Sequence, residues 1–186
     1  MEVNKIYNED CLEGMKRIPD ESVHLIITDP PFNIGKEYNS PYKDQISKED
    51  YLNWCKEWLS ECVRILKKNG SLYLFNYPEN NAYLMPLLDE KILFKRWMTW
   101  HYPTNTGHSK YNFTRTQHSI LFYTKSKKQS ECTFNKDCIA EPYRNPTDKR
   151  IQERIKNGSK GKTPYDEFKF DYNGEDMIEM NIVKNV

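Results

Sequence analysis

Four adjacent residues, Asp29-Pro30-Pro31-Phe32, place a carboxylate, two rigid carbonyls and a flat apolar ring at one point of a 186-residue chain. This set suits one kind of chemistry. An exocyclic amine on a purine or pyrimidine is a poor nucleophile because its lone pair is delocalised into the ring. Two hydrogen-bond acceptors placed around the amine, out of the ring plane, would aim that lone pair at an electrophilic methyl group. The Asp29 carboxylate is a candidate for one acceptor. The Pro30 carbonyl is a candidate for the other, held still because Pro30 and Pro31 fix φ on both sides of it. Phe32 offers a face on which a base taken out of a duplex would stack. Such a transfer needs neither a covalent intermediate nor a metal. The simpler alternative is a rigid turn that closes a strand and does nothing more.

A strand has to deliver the motif, and the preceding residues predict one. Val23–Thr28 (VHLIIT) is a nearly continuous aliphatic and β-branched run, the pattern of a buried parallel strand. Asp29-Pro30-Pro31 then stops it, since two successive residues lack an N–H. The motif therefore lies at the carboxyl end of a strand, where open α/β sheets place ligands. Upstream, residues 3–7 read as a short strand and 11–18 as a short helix broken at Pro19-Asp20. Residues 33–47 read as a polar loop with Gly35, Asn39 and Pro41.

Downstream, Ser47 with Asp50 opens a capping box. Tyr51, Leu52, Cys55, Trp58, Leu59, Cys62, Val63 and Leu66 follow at helical spacing, and Asn69-Gly70 reads as the stop. Strands are predicted over 71–76 (SLYLFN), 93–102 and Gln117–Thr124, with a helix over 78–88 opened by Pro78. Alternating strands and helices predict an α/β sheet covered on both faces. Beyond Lys125 the periodicity fades into repeated turn signals.

Thirteen Tyr, eight Phe and four Trp supply core area that the modest aliphatic content does not. No apolar run reaches the ~20 residues of a membrane span and no secretory leader opens the chain, so a soluble, cytoplasmic protein is expected. The five cysteines (11, 55, 62, 132 and 138) form no C-x-x-C pair or zinc spacing, so they read as thiols and no metal is expected. Trp97, Met98 and Trp100 read as core, and His118 as a structural or substrate contact; His101 and His108 fall at no ligand spacing. The net charge of +1 conceals an uneven distribution. Residues 101–170 hold 14 basic and 7 acidic side chains interleaved with aromatics, as a nucleic-acid contact would. Lys110, Arg115, Lys125, Lys127 and Lys128 are the candidate phosphate contacts.

The segments from Ile6 to Leu12 (IYNEDCL) and from Val23 to Ile34 (VHLIITDPPFNI) resemble the opening of the permuted, β-type N6-adenine/N4-cytosine DNA methyltransferases. The likeness continues through 51–70, 71–76, 97–102 and 118–125 (HSILFYTK), in one order. It implies a Rossmann-like α/β methyltransferase fold, S-adenosylmethionine as cofactor, and methylation of N6 of adenine in double-stranded DNA with base flipping. It also implies a cytoplasmic restriction-modification setting. Asp29, Pro30, Pro31 and Phe32 match the catalytic motif. Asp10 with Cys11 matches the acidic position beside the cofactor's adenosine, and Asp29 lies near its methionine end. N4 of cytosine is the first alternative target, and a non-catalytic DNA-binding subunit the second.

By the same resemblance, residues 1–125 form the catalytic domain and 126–186 the variable target-recognition region. The family's later glycine-rich cofactor loop is not matched: the seven glycines contain no G-x-G. The expectation is a C-terminally incomplete fold, completed by another polypeptide or a homodimer and binding cofactor weakly alone.

Overall fold

A computed structural model describes residues 2–36, 44–102 and 110–169. Asn39, Pro41, His108 and residues 170–186, named above, lie outside the described residues. The elements are α1 (Cys11–Lys16), β1 (Val23–Thr28), α2 (Lys48–Ile65), β2 (Leu66–Asn76), α3 (Pro78–Asp89), β3 (Leu93–His101), β4 (Gln117–Thr124), α4 (Lys149–Lys156) and β5 (Glu167–Lys169). They build a mixed sheet of order β1-β2-β4-β3-β5. β1 runs parallel to β2, β4 lies antiparallel to both β2 and β3, and β5 runs parallel to β3.

The apolar stripe of α2 sets one face of the core. Tyr51, Cys55, Trp58, Leu59 and Cys62 pack with Leu84 and Leu88 of α3 against Leu66, Leu72, Leu74, Leu121 and Tyr123 of the sheet. Leu12 and Met15 of α1 join the same cluster. Burial pushes the Cys55 and Cys62 thiols up to about 11 and about 12, because a thiolate is disfavoured away from water. Strand alternation sends Tyr73 and Phe75 to the opposite face, where they meet Met98, Trp100, Ile120, Phe122 and Phe168. The two covered faces therefore differ in make-up. α1, α2 and α3 share one face, and the other is an aromatic layer among the described residues.

Three local expectations also change. Residues 3–7 form no strand. With no ladder partner, Val3 and Ile6 stay exposed, and Tyr7 bonds back to the Glu2 backbone. Among the described residues, the strand before the motif is an edge strand paired only with β2, and its Ile27 is 41% exposed. Asn69-Gly70 does not end a helix. α2 ends at Ile65, and the chain enters β2 at once. The register then jumps from Val23↔Leu66 to Leu25↔Ser71, so Gly70 belongs to a bulge. A Cβ there would come within 2.9 Å of the His24 and Lys67 carbonyl oxygens, which accounts for glycine.

Residues after 125 hold more structure than their turn signals suggest. Two 3-10 turns (Gln129–Glu131, Lys136–Cys138) precede α4, whose first N–H groups are capped by Asp148. β5 then returns to pair with β3, so the segment rejoins the main sheet. No helix among the described residues is long and apolar enough to cross a membrane.

Candidate active site

Four chain segments end at one rim of the sheet. Asp29 follows the carboxyl end of β1, Tyr77 that of β2 and Tyr102 that of β3, while His118 sits at the amino end of antiparallel β4. Register explains the meeting: Asn76 pairs with Ser119 and Trp100 with His118. The Phe32 ring lies 5.0 Å from Tyr77 and 5.4 Å from His118, edge-on to the latter. Tyr77 and Tyr102 flank the imidazole at 5.2 and 4.9 Å. A ring cluster thus stands beside the Asp29 carboxylate. All four rings are partly exposed, so a planar guest could reach them.

The loop after β1 is held from outside, because Pro30 and Pro31 remove two of its own donors. The Tyr51 hydroxyl donates to the Pro31 carbonyl at 3.0 Å, and the Asn80 amide donates to the Phe32 carbonyl at 2.8 Å. Beyond the motif, the buried Asp44 carboxylate accepts from the backbone N–H groups of Asn33 (2.9 Å), Ile34 (3.1 Å) and Lys36 (3.0 Å). Asn33 adopts φ of 58°, a left-handed conformation that asparagine tolerates. Its side chain closes the loop by donating to Ile46 O and accepting from Ile46 N. No described residue donates to the Pro30 carbonyl, and the Asp29 carboxylate has no hydrogen bond or ion pair with a described residue. Among the described residues, then, these two successive residues each keep an unoccupied acceptor.

Electrostatics distinguish Asp29 further. Although exposed, its carboxyl sits above the ordinary carboxylate range because neighbouring atoms displace water from it. The positive charges of His118 and Lys36 oppose that rise. His118 sits below its usual value, since partial removal from water outweighs the pull of Asp29.

The remaining sequence-nominated residues have other surroundings. Asp10 is the N-cap of α1, its Oδ1 accepting from Leu12 N at 2.8 Å and Glu13 N at 3.3 Å. The exposed Cys11 thiol is pushed up by desolvation and then by Asp10. Arg115 does not extend freely outward: it forms a two-point ion pair with Glu79. Lys125 is half-buried. Its ammonium donates to Leu66 O at 2.7 Å and pairs with Glu21 at 3.0 Å, which corrects its nomination as a phosphate contact. Lys110, Lys127 and Lys128 are exposed, and Lys128 lies 3.7 Å from Glu131.

Sequence reasoning missed Tyr77 and Tyr102 in the ring cluster and Asn76, Asn80 and Asp44 around the loop. It read Tyr51 only as core. The available signal was amides where an apolar run ends: Asn76 closes SLYLFN, and Asn80-Asn81 fall in the first turn after Pro78.

The N6/N4 methyltransferase family model, described as DNA methylase, matches residues 23–178. Type II methyltransferase M.BamHI of Bacillus amyloliquefaciens is 39% identical over 145 residues, covering 72% of this chain and 31% of the relative. DNA adenine methyltransferase YhdJ of Escherichia coli is 35% identical over 139 residues, covering 74% and 46%. This chain thus spans less than half the length of either. The solved PvuII DNA methyltransferase (cytosine-N4-specific) shares the fold, with a TM-score of 0.58 at 16% identity over 89% of this chain and 56% of that one.

Proposed function

This chain belongs to the N6/N4 DNA methylase family, and from that premise we propose that it forms the target-base half of a DNA methyltransferase acting on N6 of adenine in double-stranded DNA. The supporting observation is the pair of open acceptors, the Asp29 carboxylate and the Pro30 carbonyl, beside the Phe32, Tyr77, Tyr102 and His118 rings. A base rotated out of the duplex would stack on Phe32, with its amine donating one hydrogen to each acceptor. That geometry draws the lone pair out of conjugation. The methylated nitrogen would then lose a proton, and Asp29, with its raised pKa, is the neighbouring group able to accept it.

S-adenosylmethionine would supply the methyl group on a cationic sulfur. The chain's own groups fit such a molecule in charge: Asp29 has no described ion pair, and Asp10 keeps one oxygen beyond its capping role. Cys11 lies beside Asp10. The proposed division assigns residues 1–125 to catalysis and 126–186, with exposed Lys127 and Lys128, to the DNA. A second polypeptide or a second copy completing the cofactor site belongs to the same proposal, as does a restriction-modification role.

The test is methyl transfer from tritiated S-adenosylmethionine to DNA, with the full chain alone and with a polypeptide carrying the glycine-rich loop, followed by nucleoside analysis. N6-methyladenine is the expected product. N4-methylcytosine would move the target to cytosine, whose exocyclic amine the same two acceptors suit. DNA binding with no transfer in either mixture would leave only a DNA-binding subunit.

A further inference from the structure

We propose that Tyr51, Asn76 and Asn80 are positioning residues that aim the Pro30 carbonyl by occupying its two neighbours through a hydrogen-bond relay of fixed direction. The inference rests on the amine-methylation reading above, in which Pro30 O is an acceptor for the target.

The direction of the relay follows from its ends. The Phe32 carbonyl can only accept, so Asn80 must turn its NH2 group toward it, at 2.8 Å. The second hydrogen of that NH2 reaches Asn76 Oδ1 at 2.9 Å, which also accepts from Tyr77 N at 2.8 Å. Its oxygen thus committed, Asn76 presents its own NH2 to the Tyr51 hydroxyl at 2.9 Å. That hydroxyl, accepting from Asn76, gives its hydrogen to Pro31 O at 3.0 Å. Reversing either amide would set two donors or two acceptors face to face. Because Asn76 and Tyr51 are 0% and 1% exposed, water offers no easy substitute.

The relay draws its members from the start of α2, the end of β2 and the first turn of α3, so the loop is referenced to three packed elements at once. It engages the carbonyls at 31 and 32 once each and stops one residue short of Pro30. With its two successors tied down and its own φ fixed by the ring, the Pro30 carbonyl has little freedom to turn away.

Two variants break the relay without removing bulk. Tyr51→Phe deletes the donor to Pro31. Asn76→Asp keeps the shape but replaces a donor with an acceptor, so the Tyr51 hydroxyl turns to the new carboxylate and abandons Pro31. In the full chain, mixed with the loop-bearing polypeptide, both should lower the single-turnover methyl-transfer rate by about ten- to a hundredfold, the scale of a small misplacement of a reacting group. DNA affinity should stay within about twofold, since nothing that touches phosphate changes. With 13C-labelled proline, the Pro31 carbonyl resonance should move in both variants toward that of an unbonded carbonyl. If either variant fails to fold, the other still reads the relay. An unmoved resonance would overturn the relay, and a moved resonance with an unchanged rate would overturn its positioning role. Asp29→Ala run alongside separates the two ideas: if it retains activity, the amine-methylation reading itself falls.

Discussion

The guanidinium of Arg115 lies over the ring of Tyr77, 4.0 Å from its centroid. Two hydrogen bonds to Glu79, at 3.0 and 2.7 Å, hold it there, and the same arginine draws the Glu79 carboxyl below the usual carboxylate range. Glu79 and Tyr77 bracket the start of α3, so the ion pair pins one wall of the ring cluster to a helix. An arginine that reads as a phosphate contact by charge is thus a clamp on an aromatic.

Arg115→Ala should therefore leave the salt dependence of DNA binding unchanged while loosening the cluster. With 2-aminopurine at the target position, the fluorescence rise on binding should shrink several-fold, in line with ~0.5–2 kcal/mol for a cation–π contact. Arg115→Lys should recover only part of it, because an ammonium lacks the planar fork. A reduced salt slope in the alanine variant would return Arg115 to the phosphate backbone.

Asp29→Ala should reduce methyl transfer by ~10²-fold or more, the loss expected when a group acting mainly in the transition state is removed. Asp29→Asn should also be more thermostable than the parent at neutral pH. The folded carboxyl has a raised pKa, so ionisation destabilises the fold above both the unfolded and the folded values. That advantage should fade as pH falls through the carboxylate range, where the parent too becomes neutral. Melting curves across pH give the answer.

His118→Gln should shift the acid limb of the methyl-transfer profile to higher pH. The imidazolium helps keep Asp29 ionised, so its loss lets desolvation raise the carboxyl further. A limb that stays in place would show that the two groups do not communicate.

The elements were legible in the sequence where a single periodicity governs them. The α2 stripe, the VHLIIT strand and the QHSILFYT strand stand where their patterns put them. Failures arose where tertiary context decides. Residues 3–7 had strand propensity but no partner, and Gly70 marks a close approach to His24 O rather than a helix end. α4, with Ile151 and Ile155 one turn apart after an Asp148 cap, escaped notice because only eight residues carry it. The Asp29–Phe32 motif was visible as a local word, but its supports were not. Tyr51, Asn76 and Asn80 are spread over thirty positions and converge only through the sheet.

Replacing Lys127 and Lys128 together by Ala should reduce the slope of log affinity against log salt by about 1.8, at ~0.9 per phosphate contact. Lys125→Ala should leave the slope alone and instead lower stability by ~1–3 kcal/mol, because the Leu66 carbonyl loses its donor. Titrations at several salt concentrations, paired with urea unfolding, separate the two effects.

Gly70→Ala should destabilise by ~1–3 kcal/mol, the usual scale of overpacking. The added methyl would meet Leu66 Cδ1 at 2.8 Å and two backbone oxygens at 2.9 Å. Wild-type unfolding behaviour would remove the steric account of the bulge.

The one-way direction of the donors joining Asn80, Asn76, Tyr51 and Pro31 also constrains how this protein can change over generations. A residue inside a reversible network can drift, because its neighbours can flip to suit. Here every member's orientation is dictated by the next. A single exchange at position 51 or 76 leaves an unpaired group in a closed space, one at the half-buried position 80 breaks the same chain of donors, and only a matched second exchange could relieve either. These three positions should therefore behave epistatically in a mutational library: single replacements depleted under selection for methylation, and survivors arising as coordinated pairs.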